Sequence, residues 1–225
     1  MKEYDYQLGM KIHQLLIQQN LENQVDFTKV IECRDTAHQE IIKTKFAEVL
    51  NLLGFATSES ENYNTAKRVI DLYLQERFWG LDYRRFPTFA MMSNEFSYHE
   101  PLIASNIVFQ TSCEHHLVAV KGRAVIAYIP KDHLVGLGKL NQVLHFFAAR
   151  PQLQERLTKQ LFVVLQELLA TEDVAVVLKA QHDCMNNHGI INDDTWHTSL
   201  QFGGIFKLDS ALQLQLSADI THKTY

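Results

Sequence analysis

Near Pro101 the apolar residues of this chain change their spacing, and that change limits the folds open to it. Ahead of it they fall three and four positions apart, the interval at which side chains share one face of a helix. Leu8, Ile12, Leu15 and Leu16 form one such face, and Ile41, Ile42, Phe46, Val49, Leu50 and Leu53 form a second, closed by Gly54 as the residue past the last turn. After a polar turn over 57–62, Val69, Ile70 and Tyr73 predict a third helix, capped by Asn64 or Thr65 and stopping near Trp79-Gly80. Beyond Pro101 the apolar residues alternate or gather in short β-rich runs: Ile107-Val108-Phe109, residues 117–120, a turn at Lys121-Gly122, then residues 123–129. This pattern predicts a hairpin. Residues 139–149 predict one helix, and a second starts at Pro151 with Leu157, Leu161, Val164, Leu165 and Leu168 on one stripe. Residues 174–178 and 195–206 predict two more strands. The order β-β-α-α-β-β describes an α+β unit over 98–225, a sheet carrying two helices on one face, behind a helical region over 1–97.

A chain of 225 residues, 46% of them hydrophobic, has enough apolar surface for a substantial core. Its formal charge of −5, without a Lys/Arg cluster, argues against nucleic acid as a partner. The N-terminal Met1-Lys2-Glu3-Tyr4-Asp5-Tyr6 lacks the apolar core of a signal peptide, and no stretch has the apolar length of a membrane span. The expected setting is the cytoplasm. Cys33, Cys113 and Cys184 cannot pair evenly, and two of the three sit beside histidines, which points to a metal or a reactive thiol in a reducing compartment.

Those two cysteines lie in compact packets, Cys113-Glu114-His115-His116 and His182-Asp183-Cys184. Thiolates and imidazoles are the commonest zinc ligands, and a Cys-x-x-His spacing lets one bend aim two of them at a single ion. If Cys113, His116 and Cys184 hold Zn²⁺, the fourth position is open to a water acidified enough to act as a nucleophile near neutrality. His115 and His182 are then left beside the metal as proton-transfer groups. The same residues also suit a structural zinc with His115 or His182 as fourth ligand, or buried cysteines beside surface histidines. Further on, Gln154-Glu155 opens the long helix. Such a pair can grip a guanine edge, although an acid there also simply compensates the helix dipole.

Several longer runs carry a resemblance. Thr111-Ser112-Cys113-Glu114-His115-His116, Ala127-Tyr128-Ile129-Pro130-Lys131, Gly136-Leu137-Gly138-Lys139-Leu140 and Arg150-Pro151-Gln152-Leu153-Gln154-Glu155-Arg156-Leu157-Thr158 closely resemble GTP cyclohydrolase I, and Gly80-Leu81-Asp82-Tyr83 and Gly203-Gly204-Ile205-Phe206 extend the match. The resemblance implies a tunnelling fold, in which subunits pool antiparallel sheets into an oligomeric barrel, typically a homodecamer of two stacked pentamers with active sites at subunit junctions. It implies zinc on Cys113, His116 and Cys184, acid/base roles for His115 and His182, and guanine recognition by Gln154 and Glu155. The family reaction adds zinc-bound water to C8 of GTP, opens the imidazole ring, releases formate and closes 7,8-dihydroneopterin triphosphate for folate and pterin synthesis.

The departures from the family converge on one subsite. Where the family grips the triphosphate with cations and a serine hydroxyl, this chain has Asp71 for a lysine, Gly138 for the serine, and Gln142 and His188 for arginines; Arg68 and Lys139 keep their charge. Replacing three cations and adding an anion removes most of the charge-assisted hydrogen bonds that hold a polyphosphate. His188, unlike an arginine, can be neutral and donate to a hydroxyl or carbonyl. The expected activity is therefore zinc-dependent opening of a guanine-like or other purine-like ring, with a substrate lacking a triphosphate. GTP cyclohydrolase I activity itself and a non-catalytic, zinc-stabilised paralogue are the competing readings.

Overall fold

A computed structural model describes residues 3–55, 58–186 and 195–220. Short acidic side chains start the first three helices. Asp5 accepts from the Leu8 amide and opens α1 (Tyr6–Gln18), Asp26 accepts from Thr28 and Lys29 and opens α2 (Phe27–Glu32), and Asp35 accepts from Ala37 and His38 and opens α3 (Thr36–Leu52). An aspartate there satisfies orphan amides and places negative charge at the positive end of the helix dipole. Gly54, at φ +75°, follows the end of α3 as predicted. The next helix, α4 (Glu59–Asp71), starts earlier than predicted: Ser58 accepts from the Glu61 amide and donates to the Glu61 carboxylate. This Ser-x-x-Glu capping pattern makes the polar residues at 58–62 a helix start rather than a turn, and puts Asn64 and Thr65 in the helix interior. A π-helical turn, Leu72–Arg77, continues α4 to Phe78.

A two-stranded ribbon pairs β1 (Met91–Ser93) with β4 (His133–Val135). The main sheet has the order β5-β2-β3-β6-β7, built from β2 (Leu102–Cys113), β3 (Ala119–Tyr128), β5 (Pro151–Gln152), β6 (Val174–His182) and β7 (His197–Phe202). All neighbours are antiparallel except β5, which runs parallel to β2. The predicted hairpin exists, but its turn is not at Lys121-Gly122. Those residues sit inside β3, paired with Gln110 and Phe109 on one side and with Gln181 and Ala180 on the other. Glycine is required at 122 by close approach: a Cβ there would meet the Lys179 carbonyl oxygen at 2.5 Å and the Phe109 ring at 2.8 Å. The chain reverses instead over 114–118, where Leu117 has φ +56° and its amide donates to the Cys113 carbonyl at 2.8 Å.

The two predicted helices are α5 (Leu137–Ala148) and α6 (Gln154–Leu169). α6 begins beyond Pro151 because Pro151-Gln152 are spent on β5, at the sheet edge where a proline is tolerated. After β6 comes the short α7 (Asp183–Asn186); β7 stops at Phe202 rather than running to 206, and Gly204, at φ +50°, opens α8 (Gly204–Leu208), followed by α9 (Ser210–Asp219).

Alternation along β3 and β6 explains the layers. Ala124, Ile126, Tyr128, Val174, Val176 and Leu178 face a core that includes Leu140, Val143 and Leu144 of α5 and Leu157, Leu161 and Leu165 of α6. Their neighbours Val125, Ala127, Ala175 and Val177 face the other way, onto Phe206 of α8 and Leu216 of α9. Two helices do lie on one face as predicted, and two short ones partly cover the second.

The larger core also takes in Ile12 and Leu16 of α1 together with Phe86, Phe146 and Phe147, so it runs across the 97/98 division read from the sequence. At the seam Arg150 is fully buried, with hydrogen bonds to Glu22, Asn23, Tyr83 and the Gly80 carbonyl. Among the described residues, no helix is long and apolar enough to cross a membrane.

Candidate metal centre

Cys113 is the last residue of β2, and the reversal at 114–118 swings His116 back until its Nδ1 lies 3.7 Å from the Cys113 Sγ. The register of β3 on β6 sets His182 opposite Val120, just past that reversal, and Cys184 follows in the first turn of α7. One ligand atom each from Cys113, His116 and Cys184 therefore falls within 4.8 Å of the others. Ligand atoms bound to one tetrahedral zinc lie roughly 3.5–4 Å apart, so side-chain rotation of about an ångström closes the set. Two thiols and one imidazole are the donor chemistry zinc prefers, and three protein ligands leave one position open. Both cysteines are buried. Burial, with the Cys113 sulfur beside it, pushes the Cys184 thiol up from its ordinary value, so metal uptake must displace protons.

His115 projects from the same reversal and is exposed, its ring 6.2 Å from that of His116. His182 is partly buried, and its Nε2 lies 2.8 Å from Oε1 of Gln154. Burial lowers its pKa, and His197, whose ring is 5.3 Å away, lowers it further; the charges of Glu155 and Asp183 oppose both. Glu155 itself is exposed in the first turn of α6. The reversal is tied to that helix by an ion pair from Arg156 to Glu114, while Arg156 Nε also donates to Gln152 Oε1 at 3.0 Å. Cys113, His115, His116, His182, Cys184 and Glu155 thus form one neighbourhood at a single end of the sheet.

Gln154 takes a different position from the one its motif suggests. It is 6% exposed, and its amide nitrogen bonds to the Leu178 carbonyl at 3.3 Å, the His197 carbonyl at 3.0 Å and Ser199 Oγ at 3.0 Å. Its polar atoms face the protein rather than an open space. His197, a site neighbour that the sequence reading did not single out, is isolated from both packets along the chain, so spacing gives no signal for it.

The cations expected on the phosphate side lie on other elements. Lys139, in α5, donates to Thr88 Oγ1 at 3.1 Å and lines a cavity of about 430 Å³ with Trp79, Arg85, Gln142 and His145. Arg68 is exposed on α4. Asp71 pairs at 3.2 Å with Lys43, whose side chain is only 6% exposed, so this carboxylate is engaged between α3 and α4. Gly138 has open space where a side chain would stand. His188 lies outside the described residues.

The family model described as GTP cyclohydrolase I matches residues 42–221. The chain is 35% identical over 212 residues to GTP cyclohydrolase 1 of Erwinia tasmaniensis, covering 94% of this chain and 96% of that protein. It is 39% identical over 177 residues to the Vibrio cholerae protein of the same name, covering 79% and 82%. With that of Shewanella loihica it shares 37% identity over 190 residues, covering 84% and 89%.

Proposed function

The chain belongs to the GTP cyclohydrolase I family, and from that premise we propose that it is a zinc-dependent hydrolase opening the imidazole ring of a guanine-like purine that carries little or no phosphate. The observation that carries the reading is the convergence of Cys113, His116 and Cys184 within 4.8 Å, with His182 two residues from the last of them. Bound zinc supplies Lewis acidity, bringing the pKa of water at its open position toward neutrality. The chain's own residues do the rest. Glu155, exposed at the positive end of α6, accepts from the ring N–H and exocyclic amine of the purine and so orients it. His115 and His182 hold and move protons, taking one as water adds and returning one to the ring nitrogen as its bond to carbon breaks. A structural zinc needs neither histidine.

The phosphate side supports a substrate with a smaller charge. Asp71 spends its carboxylate on Lys43, Gly138 offers no hydroxyl, and Gln142 is neutral, leaving Lys139, Arg68 and His188. A second reading, GTP cyclohydrolase I itself, is favoured by the name shared by relatives that match up to 95% of the chain. We place the active sites at subunit junctions of a homo-oligomer, of which the decamer is the expected form. Mass spectrometry of products from zinc-loaded protein offered GTP, guanosine, guanine and 8-oxopurines separates the readings. Ring-opened product or formate from guanosine in preference to GTP is expected. Efficient conversion of GTP to dihydroneopterin triphosphate would overturn the phosphate-poor reading, and no product from any purine would point to the non-catalytic one.

A further inference from the structure

The hydrogen-bond directions around Gln154 can be assigned without ambiguity. Backbone carbonyls only accept, so the amide end facing Leu178 O and His197 O at 3.3 and 3.0 Å is the NH₂ end. The third partner agrees. Thr158 Oγ1 lies 2.9 Å from the Gln154 backbone carbonyl and must donate to it; Ser199 Oγ, 2.7 Å from Thr158 Oγ1, must then donate to Thr158, which leaves a Ser199 lone pair for Gln154 Nε2 at 3.0 Å. The other end of the amide is therefore Oε1, an obligate acceptor, 2.8 Å from His182 Nε2. That contact is a hydrogen bond only if His182 Nε2 carries the hydrogen.

We infer that Gln154 is a positioning residue that holds His182 in its Nε2–H tautomer, leaving Nδ1 as the ring nitrogen with the lone pair. The inference deepens the proposed function and rests on its assignment of His182 as a proton carrier. It also reassigns Gln154 itself: turning the amide toward a substrate would take its two N–H groups away from the carbonyls and hydroxyl they share in a nearly closed space, and would release the imidazole. Glu155, adjacent but exposed, is then the sole member of the pair that reads the purine. The amide is anchored to β6 and β7 from the first residue of α6, so the tautomer is set by the packing of helix on sheet.

Magic-angle-spinning NMR of zinc-loaded protein labelled with ¹³C,¹⁵N-histidine reads the tautomer directly, with the His182 signals assigned by their loss in His182→Gln. In mildly alkaline buffer the wild-type ring is expected to be Nε2–H only. Gln154→Met, similar in length but without the acceptor, should release an Nδ1–H population. An Nδ1–H ring in the wild type, or a His182 spectrum unchanged in Gln154→Met, would overturn the inference. Should the Met variant fail to fold, the wild-type spectrum still decides. Zinc content and purine turnover measured on the same samples test the proposed function separately, since neither enters the tautomer assignment.

Discussion

Cys184 completes the candidate metal set from α7, 71 residues beyond Cys113, so its loss should empty the site while leaving the reversal at 114–118 intact. Elemental analysis of Cys184→Ser is expected to show zinc falling from about one per chain to a small fraction, whereas Cys33→Ser should bind normally. Asp82 governs a different property. Burial pushes its carboxyl up, but the forked bonds from Arg84, at 2.8 Å each, and the charge of Arg34 outweigh that and hold it below the usual carboxylate range. A depressed folded-state value adds stability that is present above the ordinary carboxylate pKa and is lost as pH falls through the lower, folded one. Thermal melts should therefore drop once pH falls below the ordinary carboxylate value, and Asp82→Asn should lose about 2 kcal/mol at neutral pH and show a flatter acid limb. At this scale the clustering of Cys113, His116 and Cys184 is legible because cysteine and histidine in tight packets have few other uses. Gln154 is not. Its partners at Leu178, His197 and Ser199 come from strands 24, 43 and 45 residues away, and a Gln beside a Glu looks the same whether it faces a ligand or the sheet.

Elements were predicted best where one signal acted alone. The faces of α1 and α3 and the glycine after α3 follow from local periodicity and local φ. Errors arose where one residue type serves two ends. Ser58 to Asn62 has the polarity of a turn and of a helix start, Pro151 suits the first position of a helix and the edge of a sheet, and Gly122 fits a turn and a crowded strand. In each case the third dimension decides, through a cap, a pairing or a neighbour's carbonyl. The crowding at 122 is testable: Gly122→Ala should cost about 1–3 kcal/mol, read as a lower melting temperature, because the Lys179 backbone cannot yield without parting β3 from β6. The end of α6 offers the opposite sign. Ala170 caps it at φ 50° and ψ 40°, a left-handed conformation that penalises a Cβ, and Ala170→Gly should stabilise the protein by roughly 0.5 kcal/mol in denaturant titration.

The whole molecule presents features that favour association. β5 pairs with only Ser112 and Cys113 of β2, and Val108 of β2 and Leu200 of β7 are exposed. Long sheet edges with apolar side chains are seldom left to solvent. Sedimentation of the purified protein is expected to give a multiple of the 26.0 kDa chain mass, with ten copies as the expected number; a monomer would remove the subunit-junction site from the proposal. The position of Arg150 bears on how the chain is made. Its partner Glu22 lies 128 residues earlier, so the charge that neutralises this guanidinium leaves the ribosome long before the guanidinium itself. At typical synthesis rates the interval is on the order of ten seconds. During it, α1 can coil and meet Tyr83 and Phe86, but the larger core that holds Ile12 and Leu16 still lacks Phe146 and Phe147. α1 and the segment carrying Glu22 therefore wait for the loop between α5 and α6 before this seam can close.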